Sequence, residues 1–327
     1  MADHSGQRLL TVAAAQLGPN PSLDTPRSGV LTRMIKLLED AASKNVRLVV
    51  FPELAFTTFF PGYVIEKQED LDKFFEPASP EEPYAIIHSP NGKPLFDKAA
   101  DLEIDISVGY GERLTAEDGK VTYYNTAIYY SAKERNGIAK YRKVHLPGRY
   151  EPDTRPEVTQ QLEKKYFAVG DLGFEAFRVP HLIEGALKAK DALSGEETDG
   201  KGDPILGMLI CNDRRWAEGW RSYGLQGIEL LLVSVRQSQH WTTHLANSPA
   251  GKEDHGSLIA GSSIIDPNGH IIAESKTKED ELVYATIDLA MCRKGKERVF
   301  AFDRHRRTEH YGRLVSQVGV EEPALLD

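Results

Sequence analysis

Cysteine is scarce in this sequence. Cys211 and Cys292 are the only two among 327 residues. A disulfide framework needs more in a chain of this length, so a reducing compartment and a cytoplasmic protein are expected. No apolar run reaches the ~18 residues of a membrane-crossing helix, and MADHSGQRLL lacks the basic start and apolar stretch of a secretory signal. Basic excess is missing too. Forty Lys and Arg stand against 49 Asp and Glu, a formal net charge of −9. Phosphates repel such a surface, so a general nucleic-acid binder is excluded and no membrane partner is expected. The motifs HExxH, CxxC, GxxxxGK[ST] and GxGxxG are all absent. No metal site and no organic cofactor is therefore expected. No repeat length stands out.

What the chain does have is enough apolar material, 40% of residues, for one large core or two ordinary ones. LLTVAAAQLG (9–18) reads as a buried strand, 26–44 as an amphipathic helix, and RLVVFPE (47–53) as a second strand. A polar helix or loop is expected over 64–75 and a helix over 94–104. Strands are expected over 105–114, 120–131, 138–146 and 173–181. PILGMLICN (204–212) is an apolar strand, 216–227 a helix and 228–235 a strand. Strands over 257–266, 267–275 and 281–289 follow, with NG as a hairpin turn. Helices alternate with strands in places and strands pair directly in others, which predicts an α/β fold with mixed sheets. The charged stretch 183–203 reads as a surface insertion, a loop or short exposed helix.

Three residues stand at or near the C-terminal ends of predicted strands: Glu53, Lys143 and Cys211. In open α/β sheets such ends line the ligand crevice. Read singly, each has an ordinary explanation: a helix cap, a solvated charge, a small core thiol. Together they suit covalent catalysis. A thiol with an ordinary pKa of about 8.5 is only a few per cent thiolate at neutral pH and needs a base. A half-buried carboxylate such as Glu53 can serve. An ammonium, Lys143, beside a backbone N–H such as that of Asn212 can stabilise the oxyanion. Cys211 also precedes a predicted helix, whose N-terminus favours a thiolate. Cys292, in MCRKGKER, reads as structural.

FPELAFTTFFP (51–61), KYRKVHLPG (140–148) and MLICNDRRW (208–216) resemble the Glu, Lys and Cys motifs of the nitrilase superfamily of carbon–nitrogen hydrolases. Within it they look most like the N-carbamoyl-D-amino-acid hydrolases, as do YNTAIYY (124–130), QLEKKYFAVGDLGF (161–174) and HRRTEHYGRL (305–314). The resemblance implies a four-layer α-β-β-α sandwich with two mixed β-sheets, formed as a single domain over 1–327 that assembles into a homo-oligomer. It implies Glu53 as general base, Lys143 as oxyanion stabiliser and Cys211 as nucleophile. Glu163 falls at the family's second glutamate, which holds the lysine. The substrate would be a small N-carbamoyl amino acid or related amide, split into amino acid, ammonia and CO2 through a thio-acyl enzyme. His145 matches a carbamoylase binding position. Arg214 or Arg215 is expected on the substrate carboxylate, because a guanidinium fork fits it.

The chain departs from that pattern in places. Gln161 replaces a His, and Arg236 and Gln237 replace an Asn-Thr pair. Residues 236–256 are 21 mostly polar residues, where the family carries a helix and a strand that need roughly 25–30. The alternatives left open are another superfamily amidase, nitrilase or β-ureido acid hydrolase, and a catalytically impaired homologue with an assembly role.

Overall fold

The computed structural model describes residues 8–155, 158–183, 188–190, 197–199, 202–236, 251–253, 256–258, 261–292, 296 and 301–323. The chain forms two compact units, Met1–Leu289 and Ala290–Asp327.

Two short βα segments start the larger unit. β1 (Leu9–Gln16) leads to α1 (Arg27–Ala42), which buries Val30, Met34, Leu37, Leu38 and Ala41 at helical spacing. β2 (Leu48–Val50) follows and lies parallel to β1. The polar stretch after it forms only one helical turn, α2 (Gln68–Leu71). The chain then enters β3 (Phe75–Ala78), a strand absent from the sequence expectation. α3 (Lys93–Asp101) precedes the long hairpins β4 (Asp105–Thr115), β5 (Val121–Ser131) and β6 (Asn136–Arg142).

These strands make one seven-stranded sheet in the order β16-β1-β2-β4-β5-β6, where β16 is Glu281–Asp288, and β3 pairs with β4. β2 lies parallel to β4, whereas β16–β1, β4–β5 and β5–β6 are antiparallel. The sheet is mixed, as expected.

A second sheet follows one turn of helix, α4 (Glu163–Tyr166). The strand expected over 173–181 shrinks to β7 (Phe177–Arg178), antiparallel to β10 (Ile205–Ile210). Between them the expected loop or helix of the insertion instead carries an antiparallel pair, β8 (Lys188–Lys190) and β9 (Glu197–Asp199); most of its other residues lie outside those described. α5 (Ala217–Leu225) joins β10 to the parallel strand β11 (Leu230–Ser234). Of the shortened segment 236–256, residues 237–250, 254 and 255 lie outside the described part. β12 (Gly251–Glu253) and β13 (Gly256–Leu258) pair with each other, as do β14 (Ser263–Ile265) and β15 (Ile271–Glu274).

Period-two alternation stacks the layers. On β1, Ala13 and Ala15 pack with Met34 and Leu38 of α1 and Leu95 and Phe96 of α3. Leu10, Val12 and Ala14 face the other way, into a second core with Leu206, Met208 and Ile210 of β10. The outer face of β10 meets α5, where a Cβ on Gly207 would come within 2.7 Å of the Tyr223 ring. Helices, sheet, sheet and helix therefore lie in succession. Each fully buried Leu or Met in these layers contributes about 1.5–3 kcal/mol. The smaller unit holds short helical turns at Phe302–His305, Thr308–His310 and Arg313–Ser316. Among the described residues no helix is long and apolar enough to cross a membrane.

Candidate active site

Glu53 leaves the end of β2 on a loop laced to β4. The N–H of Gly109 donates to Pro52 O (3.2 Å) and that of Ala55 to Gly109 O (2.8 Å). The approach demands glycine: a Cβ at 109 would lie 2.7 Å from Glu53 Cα and from Pro52 O. Lys143 follows β6, its N–H donating to Asn125 O (2.9 Å), and Gly170 N–H donates to Lys143 O (2.9 Å). Glu163 opens α4.

Side chains from these separate elements converge in the dry interior, with Glu53, Lys143 and Glu163 each at most 1% exposed. Lys143 Nζ donates to Glu53 Oε1 at 2.6 Å and to Glu163 Oε2 at 2.5 Å. Asn125 Nδ2 donates to the same Glu53 oxygen at 2.7 Å and to Glu163 Oε2 at 3.4 Å. Two carboxylates thus share one ammonium. Burial works against the charge on Lys143, but Glu163 and Glu53 outweigh it and hold the ammonium above the ordinary lysine range. Glu163 gives way: burial, with the Glu53 charge beside it, pushes its carboxyl up to about 7 against the pull of Lys143.

Cys211 follows β10 and starts a 3-10 turn, Cys211–Arg215, with φ of +48°. That left-handed backbone costs a non-glycine residue on the order of 1 kcal/mol. Asp213, fully buried, holds the turn. Its Oδ2 accepts from Ile210 N–H (3.3 Å) and Tyr141 OH (2.8 Å), and its Oδ1 from His145 N–H (2.8 Å). Tyr141 and His145 flank Lys143 in the chain, so one carboxylate ties the lysine strand to the cysteine turn. The helix-terminus expectation of a lowered thiol fails for a physical reason. The sulfur is buried, and burial together with the Glu53 charge pushes the thiol up to about 12, Lys143 opposing. Cys211 is a thiol at rest.

Residue 236 joins the two halves. Its backbone N–H donates to Glu53 Oε2 at 2.9 Å, and its backbone carbonyl accepts from Cys211 Sγ at 3.8 Å. The Arg236 side chain, 2% exposed, donates to Leu54 O (3.0 Å) and Thr57 O on the Glu53 loop.

The other expected residues separate. Asn212 Nδ2 donates to His145 O at 3.0 Å. His145 Nδ1 lies 2.8 Å from Asp213 Oδ1, and its ring stacks on Trp216 with centroids 4.6 Å apart and planes at 10°. Arg214 Nη1 donates to Cys211 O (2.6 Å) and lies 3.9 Å from its sulfur, while Arg215 is exposed. Asn125, Asp213 and the Arg236 peptide carry much of this geometry without having been candidates. Asn125 gives one signal in the sequence, an amide inside an apolar β-rich stretch.

Fold and family agree. The chain belongs to the carbon–nitrogen hydrolase family, whose model matches residues 11–297, and it is a hydrolase of carbon–nitrogen bonds. Among curated relatives it is 26% identical to a nitrilase of Pyrococcus abyssi, over 92% of this chain and all of that one. It is 25% identical to the N-carbamoylputrescine amidase of Arabidopsis thaliana, covering 87% and 89%. In fold it is similar to the crystal structure of a carbon–nitrogen hydrolase from Helicobacter pylori, with TM-score 0.68, 18% identity, and 94% and 99% coverage.

Proposed function

We propose that this chain cleaves the carbamoyl C–N bond of an N-carbamoyl amino acid by covalent catalysis at Cys211. One observation carries the reading: a buried carboxylate, ammonium and second carboxylate, linked to a cysteine through the Arg236 peptide. The resting thiol, pushed up to about 12, needs its proton removed as it attacks. Glu53 takes that proton, and the thiolate bonds to the ureido carbon. The Lys143 ammonium, in a dry site, faces the charge that develops on the oxygen. Glu163 keeps Lys143 in place. Glu53 returns the proton to the nitrogen that leaves as ammonia, then draws one from the water that hydrolyses the thio-acyl enzyme and passes it to the departing sulfur; the carbamic acid set free breaks its remaining C–N bond to give amine and CO2. The sum is one carbamoyl compound and one water giving amine, ammonia and CO2.

The amidase name of the Arabidopsis relative supports a carbamoyl bond. The Pyrococcus relative's name supports a second reading, a nitrile or simple amide substrate. The low cysteine count and two free thiols support a reducing, cytoplasmic setting. Residues 1–327 are read as one hydrolase domain working as a homo-oligomer, its 236–256 segment shortened.

Ammonia release from N-carbamoyl amino acids tests the proposal. Wild type is expected to turn over, and Cys211→Ala to fall to background with the fold retained by circular dichroism. Folded wild-type protein silent on carbamoyl, amide and nitrile substrates would instead favour the impaired homologue with an assembly role.

A further inference from the structure

A cavity of about 380 Å³ is lined by the same stretches of chain that carry the catalytic cluster, a size that suits a small-molecule site. Val144, Lys164 and Asn212 line it, and each is the chain neighbour of a clustered residue: Lys143, Glu163 and Cys211. Consecutive Cα atoms are about 3.8 Å apart, so three of the four clustered residues have a main-chain neighbour in the cavity wall.

Its chemistry is one-sided. Among the described residues no carboxylate lines it. Its ammonium, Lys164, makes no ion pair among the described residues and lies 5.9 Å from the centroid of the Tyr150 ring. One wall is the stacked pair His145 and Trp216, with Trp216 46% exposed, and Phe167 adds an apolar surface. The residues expected to meet a substrate carboxylate are not in this wall. Arg214 is committed to Cys211 O, and Arg215 does not line the cavity.

Resting on the hydrolase reading above, we propose that this cavity is the subsite for the amino-acid part of the substrate: Lys164 binds its carboxylate, and the His145–Trp216 plate receives an apolar or aromatic side chain. The one-turn helix α4 then divides its work between consecutive residues, Glu163 toward the ammonium of Lys143 and Lys164 toward the ligand. A cationic tail, such as that of N-carbamoylputrescine, finds repulsion from Lys164 and no counter-charge. Removing a charge-assisted contact of this kind costs about tenfold to a hundredfold in binding.

The test compares three ureas by ammonia release: N-carbamoylphenylalanine, 2-phenylethylurea (the same molecule without its carboxylate) and N-carbamoylputrescine. The first is expected to have the lowest KM and the last the highest. Lys164→Met should raise KM for the acid about tenfold more than for 2-phenylethylurea, with kcat for the acid changed less than threefold, and Lys164→Arg should restore most of the loss. Equal penalties on both ureas, an effect confined to kcat, or preference for the putrescine compound would overturn the proposal. If wild type hydrolyses none of the three, the carbamoyl reading of the site fails, and calorimetry decides the subsite alone. Binding of N-carbamoylphenylalanine to Cys211→Ala that is lost on adding Lys164→Met supports it, and no binding to Cys211→Ala ends it.

Discussion

Glu163 is where the charge balance of the site is decided. Three acidic or nucleophilic groups face one ammonium in a place water does not reach, and Glu163 is the member raised to about 7. Its ordinary value is 4.5. Between those two values the folded chain keeps a proton that the unfolded chain has released. The folded state therefore binds more protons there, and stability falls as pH rises through that window. Glu163→Gln removes the titration. Its melting temperature relative to wild type is expected to climb steadily from pH 4.5 to 7 and level off above, read by thermal unfolding at a series of pH values. A constant offset across the range would show that Glu163 stays ionised throughout. Activity moves the other way. Below about pH 7 a protonated Glu163 holds Lys143 less firmly.

At the scale of elements, the site depends on how closely β4 passes the loop carrying Glu53. Gly109 is the contact point, and the atoms a Cβ would meet there are backbone, which cannot rotate aside. Gly109→Ala must push the 52–54 loop outward. Strain of this kind costs about 1–3 kcal/mol, and the displaced carboxylate leaves Lys143, Asn125 and the Arg236 N–H with a lengthened partner. Expected is a modest drop in melting temperature with a loss of at least a hundredfold in kcat. A variant that loses stability and keeps its kcat would show that the loop tolerates the shift. Gly207, packed under the Tyr223 ring, supports the cysteine strand in a similar way from the opposite layer.

For the whole molecule, the proposed homo-oligomer predicts a mass at least twice that of the chain by light scattering after size-exclusion chromatography, and a monomer peak at all concentrations would refute it. At this scale the sequence was informative about chemistry and poor about contact. Glu53 and Cys211 stood out because each closes an apolar run with a reactive group, and Lys143 because its motif resembles the family's. The mixed sheet followed from strands that both alternate with helices and pair directly. β3 was hidden, because FEPA is short and contains a Pro and a Glu. Asn125 and Asp213 were hidden because their value lies in partners 72 residues away, Glu53 and Tyr141, which only strand pairing and the packing of one sheet on the other bring near. A helix start is visible in sequence, whereas the burial of the sulfur, which works against a thiolate, is not.

The bridge at position 236 carries one more consequence. What joins the carboxylate of Glu53 to the sulfur of Cys211 is the main-chain N–H and carbonyl of one residue, groups that every amino acid but proline supplies. The arginine here ties its side chain to Leu54 O and Thr57 O of the Glu53 loop, and the two main-chain contacts do not depend on it. A different side chain at this position would change what braces the Glu53 loop while leaving both ends of the bridge in place.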